Sequence, residues 1–214
     1  MSSHCAIPHR SGGAFLSDFA RDEHGASAAE FALVLPIFLL FLLGILDVGL
    51  YAWNFNQTEK ATQMGTRWAV ATDMVPSGLA SYSFAVNGGI PQGTVVPKTA
   101  FGGVTCTSTG CTCVGQCATG LTPGFDSAAF TAIADRMRQF KGDIEDTDIT
   151  IDYDWSGIGY AGDPNGPDVA PFVTVTVDGL DFQPISTLLF GADVGLPAVS
   201  HTLTAEDSQG TFAN

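Results

Sequence analysis

Residues 25–46 read GASAAEFALVLPIFLLFLLGIL, and from 31 to 46 no side chain is charged. One acid, Glu30, stands at the N-terminal edge of this run, and Asp47 closes it before a second apolar patch, VGLYAW. An uncharged stretch of about twenty residues, rising about 1.5 Å per residue in a helix, is what crosses a bilayer core of roughly 30 Å. A chain with such a stretch places a long helix in lipid, and the rest of its fold hangs from one end of that helix. What lies before the run decides the kind of anchor.

A secretory signal peptide has a basic start, a short apolar middle and a small-residue cleavage site after that middle. Here residues 1–25 are polar, with Arg10, Arg21, Asp18, Asp22, Glu23 and three histidines. A cut after the run would fall near Gly44 or Gly49, whose flanks fit a small-x-small site poorly. A cut before it, after Gly25, keeps the apolar segment on the mature chain. Ala26 then becomes the first residue, Glu30 the fifth and Phe31 the sixth.

A polar leader ending in glycine, with Glu at position five of an apolar helix, resembles a prepilin. The closer resemblance is to the TadE-like family of tight-adherence (Tad) pilus systems. It is carried by residues 25–69, GASAAEFALVLPIFLLFLLGILDVGLYAWNFNQTEKATQMGTRWA, about the first third of the chain together with the leader. The resemblance implies a minor pilin or pseudopilin of a Tad (Flp) pilus, acting by protein–protein association in pilus biogenesis, adhesion or biofilm formation. The implied partners are a prepilin peptidase, other Tad pilins or pseudopilins, the inner-membrane assembly platform and membrane lipid, in a hetero-oligomer or filament-associated state. The implied location is the bacterial inner membrane, single-pass, with the C-terminal part in the periplasm or carried into a pilus. The rival reading is a membrane-tethered periplasmic binding or structural protein unconnected with pili.

The residue types have physical reasons. An acid in a membrane helix costs about 2.5–3.5 kcal/mol at mid-bilayer and less near the interface, and it is retained by default for a partner. Cleavage after Gly25 would place the new amine of Ala26 about one helical turn from Glu30, and this pair could form within a chain or between chains. The plainer alternative leaves Glu30 among headgroups, favoured by the helix N-terminal dipole. Pro36 removes a backbone donor inside the run and is expected to kink the helix. Gly44 and Gly49 are five apart rather than four, so they do not form the usual close-packing motif of membrane helices.

Past Asp47 the helix is expected to continue to about residue 73 and to end before Pro76. Tyr51 and Trp53 suit an aromatic belt at the membrane surface. Trp53, Met64 and Trp68 fall near one face, while Glu59, Lys60 and Arg67 lie elsewhere.

The chain carries a formal net charge of -14, and residues 59–214 hold six lysines and arginines against seventeen acids. Nucleic-acid and anionic-lipid recognition need basic patches, so nucleic acid is excluded as a partner. The leader has two arginines against three acids and gives no orientation by the positive-inside rule. Orientation therefore rests on the resemblance and on cysteine. Cys5 lies in the leader, and Cys106, Cys111, Cys113 and Cys117 crowd into CTSTGCTCVGQC. An even set in a Gly/Thr-rich loop of an exported segment reads as two disulfides, with three connectivities. The two that do not join Cys111 to Cys113 are favoured. The competing zinc reading wants paired C-x-x-C knuckles, which this spacing does not supply.

Residues 75–124 are rich in Gly, Pro, Ser and Thr and read as loop, ordered by its staple without much core, with short strands around 82–86 and 93–96. Residues 126–141 form an amphipathic helix capped by Asp126 and ended by Gly142, with Phe130, Ile133, Ala134, Met137 and Phe140 recurring at helical spacing. Residues 148–155 and 170–177 alternate and are strands, and 196–203 is a third. Residues 182–189 hold a strand end, with a short helix over 185–190. The expected fold is α+β: a long N-terminal membrane-spanning helix continuing into a pilin-like domain with a small antiparallel sheet and a disulfide-stapled loop. The expected divisions are a leader, 1–25; the transmembrane and extended helix, 26–74; and a periplasmic domain, 75–214, with its Cys-rich loop at 106–117.

No Walker loop, dinucleotide fingerprint, H-E-x-x-H or G-x-S-x-G occurs. His201 is the one histidine outside the leader. Asp163, Asn165 and Asp168 could offer oxygen ligands to calcium, but the EF-hand pattern is missing and a solvated turn is the simpler reading. The expectation is a non-enzyme without a cofactor or a metal.

Overall fold

The computed structural model describes residues 23–186, 191 and 193–205. The leader up to residue 22, with Cys5, and the helix expected over 185–190, at its residues 187–190, lie outside the described residues. The first helix, α1, is Glu23–Ala71 and runs without interruption through Pro36. A short α2, Ser77–Ala80, follows Pro76. The remaining elements are β1 (Val104–Thr107), β2 (Gly110–Cys113), α3 (Ser127–Arg138), β3 (Ile149–Asp154), β4 (Phe172–Val177), β5 (Asp181–Phe182), β6 (Val194–Gly195) and β7 (Val199–Thr204).

The architecture is α+β. Five strands form one antiparallel sheet in the order β2-β1-β3-β4-β7, and β5 pairs with β6 in a separate two-stranded ribbon. Alternation along each strand gives the main sheet two unlike faces. Register aligns Val104, Tyr153, Val173 and Leu203 in one row, and Cys106, Ile151, Val175 and His201 in the next. This face packs on the outer half of α1. The opposite face carries the row Thr105, Asp152, Thr174 and Thr202, which bonds across the strands. Thr105 Oγ1 donates to Asp152 Oδ1 at 2.6 Å, and the hydroxyls of Thr174 and Thr202 lie 2.8 Å apart. A polar row on one face and branched apolar residues on the other is how an antiparallel sheet turns one side to water.

The helix side of this packing is made of small residues. Thr58, Ala61, Thr62, Gly65, Thr66 and Ala69 are buried, spaced by three and four. The buried threonine hydroxyls are satisfied within the helix: Thr62 donates to the Thr58 carbonyl at 2.8 Å and Thr66 to the Thr62 carbonyl at 2.8 Å. Trp53, Met64 and Trp68 flank this face rather than form it. Trp53 is 62% exposed, while Met64 and Trp68 are half-buried. The sheet brings the bulk, in Ile151, Tyr153, Val173 and Val175, and the helix supplies room for it.

Helix α3 starts where Asp126 accepts from the N–H groups of Ala128 (2.9 Å) and Ala129 (3.0 Å), satisfying two free donors of the first turn. It buries Phe130, Ile133, Ala134 and Met137 against α1 and ends at Gln139, three residues before Gly142. Lys141, just beyond it, is buried and gives its Nζ to Asn54 Oδ1 of α1 (3.1 Å) and Asp143 Oδ2 (2.9 Å).

The segment 75–124 differs from expectation in two respects. Residues 82–86 and 93–96 form turns, and its strands are β1 and β2, in the cysteine region. The segment also contributes to the core, with Val75, Leu79, Tyr82, Phe84, Val96, Phe101 and Leu121 buried in one cluster with the sheet and α3. Phe84 sits edge-on between Tyr82 (4.7 Å) and Phe101 (6.2 Å). Its N–H donates to Asp168 Oδ2 at 2.6 Å, which ties this loop to the distant 163–168 turn. Apolar residues scattered singly among Gly and Pro have no period, yet a loop can still point each of them inward.

Candidate functional site

Two surfaces stand out: the bare half of α1, and the place where the outer domain reaches back along it. Between residues 27 and 50 every side chain is exposed except Leu43, half-buried, and Asp47, buried. The exposed side chains include Phe31, Leu33, Ile37, Phe38, Phe41, Ile45 and Val48. A bare helix this apolar is stable in lipid or against other apolar helices, and α1 is long and apolar enough over Ser27–Ala71 to cross a membrane. Glu30 is exposed beside Phe31, and its side chain has no hydrogen bond or ion pair among the described residues. Gly25 and Ala26 lie in the first turns of the helix. A Cβ built on Gly44 or Gly49 would meet nothing within 4 Å, so neither glycine is occupied in packing inside this chain.

Sequence reasoning placed Asp47 only as the end of the run. In the structure it is a docking point. Its carboxylate accepts from the N–H of Ile185 at 2.6 Å and of Ser186 at 3.0 Å, at the end of a segment that leaves β5. One turn along α1, Tyr51 meets Phe182 of β5 edge-on at 5.7 Å. Between them lies a recess of about 250 Å³, lined by Asp47, Val48, Tyr51, Phe182, Pro184 and Val194. The signal in the sequence was an isolated acid between two apolar stretches, which calls for a partner; residues 185 and 186 supply it with backbone donors.

The four cysteines are joined as Cys106–Cys111 and Cys113–Cys117, one of the two favoured connectivities. The first bond crosses the β1–β2 hairpin between paired residues, and the second closes the turn that follows β2. His201 sits on the sheet face toward α1, where its carbonyl accepts from Thr66 Oγ1 at 3.2 Å. Its Nδ1 is buried and has no hydrogen-bond partner among the described residues. Asp163 and Asp168 brace turns: Asp168 Oδ1 accepts from Asp163 N–H (3.0 Å) and Asp163 Oδ1 from Asn165 N–H (2.9 Å). Among the described residues no group of three or more His, Cys, Asp or Glu is placed to hold a metal.

The decisive comparison concerns the apolar end of α1. Residues 25–67 match the family model of TadE-like proteins. This TadE-like segment runs from the glycine before the membrane run, through Glu30, Pro36 and Asp47, to Arg67 on the outer half of α1. The match covers about one fifth of the chain, and the sheet, α3 and the disulfide hairpin lie outside it. Comparisons with curated proteins and with solved structures find no match.

Proposed function

We infer that this chain is a minor pilin or pseudopilin of a Tad (Flp)-type pilus system, acting by association rather than catalysis. A prepilin peptidase would cut between Gly25 and Ala26. The α1 run would lie in the inner membrane, bent at Pro36, with residues 75–214 in the periplasm. Glu30 and Phe31 at the new N-terminus would engage other pilins or the assembly platform. The observation that carries this reading is the form of α1. One continuous helix is bare and apolar from residue 27 to Leu46, with one acid there, Glu30, that has no partner among the described residues, and is packed into an α+β domain over its second half. Such a helix couples an association surface in the bilayer rigidly to a folded head outside it. The two disulfides agree with an oxidising compartment for the head.

Processing is the direct test. Mass spectrometry of the membrane-extracted native protein is expected to find a chain beginning at Ala26. A chain beginning at Met1 in cells with an active prepilin peptidase would overturn the reading in favour of a plain tether. Gly25→Ala is expected to slow the cut.

A further inference from the structure

Asp47 stands inside a longer uncharged stretch: after it, no charged side chain follows until Glu59. The amphipathic aromatics on this stretch are Tyr51 and Trp53, the residue types that settle at the membrane surface. Four residues of helix separate Asp47 from Tyr51, about 6 Å along the axis. Asp47 therefore lies below the aromatic belt, at the boundary of headgroups and acyl chains. Its carboxylate is nevertheless bound, by two backbone N–H groups of the outer domain. The arm that carries β5 and β6 thus reaches down the helix to a depth that lipid occupies.

The recess between arm and helix is lined mainly by apolar side chains, while Asp181, Gln183 and Asp193 are exposed elsewhere on the arm. Ile185 and Val194 are exposed on the arm, Val194 to 44%, and Val48 is 70% exposed on the helix beside them. Residues 180–196 contain no lysine or arginine, and their two acids, Asp181 and Asp193, are both exposed. Attraction to anionic headgroups is therefore not what holds the arm. At the same level Val48, Leu50 and Trp53 point in different directions around α1 and are all exposed. Their cover has to be continuous around the helix, as lipid is and a single docked chain is not.

We propose that the β5–β6 arm is a membrane-contacting element, and that the recess between it and α1 takes lipid acyl chains at the outer boundary of the bilayer. Asp47 fixes the arm's height on the helix, and Ile185, Val194 and Val48 make the contact. The head is then held at a set distance and tilt over the membrane, instead of swinging on the end of α1. This rests on residues 31–46 spanning the membrane, and the test separates the two.

The full chain with Cys5→Ser, its other four cysteines being paired, is given one nitroxide label at a time through Leu40→Cys, Val194→Cys, Ile185→Cys or Val86→Cys. Each is reconstituted into vesicles of phosphatidylethanolamine and phosphatidylglycerol. Collision with oxygen, which concentrates in lipid, is compared with collision with a water-soluble nickel complex. Val86, 81% exposed on the head, is the aqueous reference. The oxygen-to-nickel ratio is expected to be highest at 40 and several-fold higher at 194 and 185 than at 86. Values at 194 and 185 equal to that at 86, with 40 in lipid, overturn the arm proposal alone. Shielding of 194 and 185 from both reagents also overturns it, because protein then covers the recess. A water-like value at 40 removes the membrane reading and the arm with it.

Discussion

Tyr153 is the largest fully buried side chain among the described residues, and one atom of it is polar. Its phenol oxygen accepts from the Val75 N–H at 3.2 Å, just where the chain leaves α1 and turns at Pro76. The sheet centre thereby holds the corner between helix and loop. Tyr153→Phe keeps the ring and strands the Val75 donor, which costs about 1–3 kcal/mol when the group is buried. The expected result is a lower denaturation midpoint for the full chain in detergent, followed by near-ultraviolet circular dichroism, with an unchanged denaturant slope. Burial also pushes the Tyr153 phenol well above its usual range. A group whose pKa is raised by folding contributes stability that is complete below its unfolded pKa and is lost as pH rises through the folded one. For tyrosine the loss begins near pH 10. Stability of the parent is therefore expected to fall above that pH, and more steeply than in Tyr153→Phe. A share remains in the variant through Tyr82, whose phenol burial also raises. Equal slopes in the two proteins would place the titrating group elsewhere.

At the scale of elements, α1 was legible in the sequence as a length and a hydropathy, and its packing face was not. The membrane run, the continuation past Asp47 and the end before Pro76 all follow from uncharged residues and the absence of proline. The face against the sheet is Thr, Ala and Gly, residues that carry almost no hydrophobic signal, so the pattern did not mark it. Strands β3 and β4 were legible because alternation is a strong signal, and β1 and β2 were not, because cysteine and threonine in a short hairpin look like loop. The cysteines themselves marked the staple but could not choose between two connectivities; pairing of Cys106 with Cys111 follows from their being opposite in the hairpin. The arm on Asp47 was illegible, since it joins residues 138 apart through backbone donors common to any sequence. The small-residue face makes a sharp prediction. A Cβ on Gly65 would come within 2.6 Å of Met137 Cγ and Sδ, where α3 crosses α1. Gly65→Leu is expected to destabilise the head by about 1–3 kcal/mol, the usual cost of overpacking. Gly44→Leu and Gly49→Leu, facing open space within this chain, are expected to leave the unfolding midpoint in detergent unchanged. A midpoint for Gly65→Leu equal to that of the parent would mean that α3 yields at this crossing without cost.

At the scale of the whole molecule, the chain separates two tasks that one helix connects. The head is closed on itself: its disulfides pair, its turns are braced by Asp163 and Asp168, and its inner face is filled. From residue 27 on, the first half of α1 is open, with apolar side chains on all sides and Glu30 as the one acid between residues 27 and 46. In the proposed pilin reading, association falls to the bare half, and Glu30 is the residue whose loss should be felt between molecules. An interfacial acid costs little to keep and little to remove, so Glu30→Leu is expected to leave membrane insertion intact or to ease it. The head, which first meets α1 at Asp47, well beyond Glu30, should keep its unfolding midpoint. Cleavage after Gly25 should also persist, since the small residues at the cut are unchanged. What should be lost is the pairing of the Glu30 carboxylate with an N-terminal amine, mainly that of a neighbouring chain. The variant is therefore expected to be cleaved, membrane-resident and folded, yet poorly recovered with its partners. Mass spectrometry reads the cleavage, fractionation the residence, and crosslinking in intact cells the association, each against the parent. Glu30→Gln, which keeps the shape and drops the charge, separates pairing from packing: recovery lost in both variants points to the charge, and recovery lost in Leu alone points to the fit of the side chain. Unchanged crosslinking in both variants would make Glu30 a tolerated interfacial acid. Association would then have to rest on the apolar face of α1 and on the head.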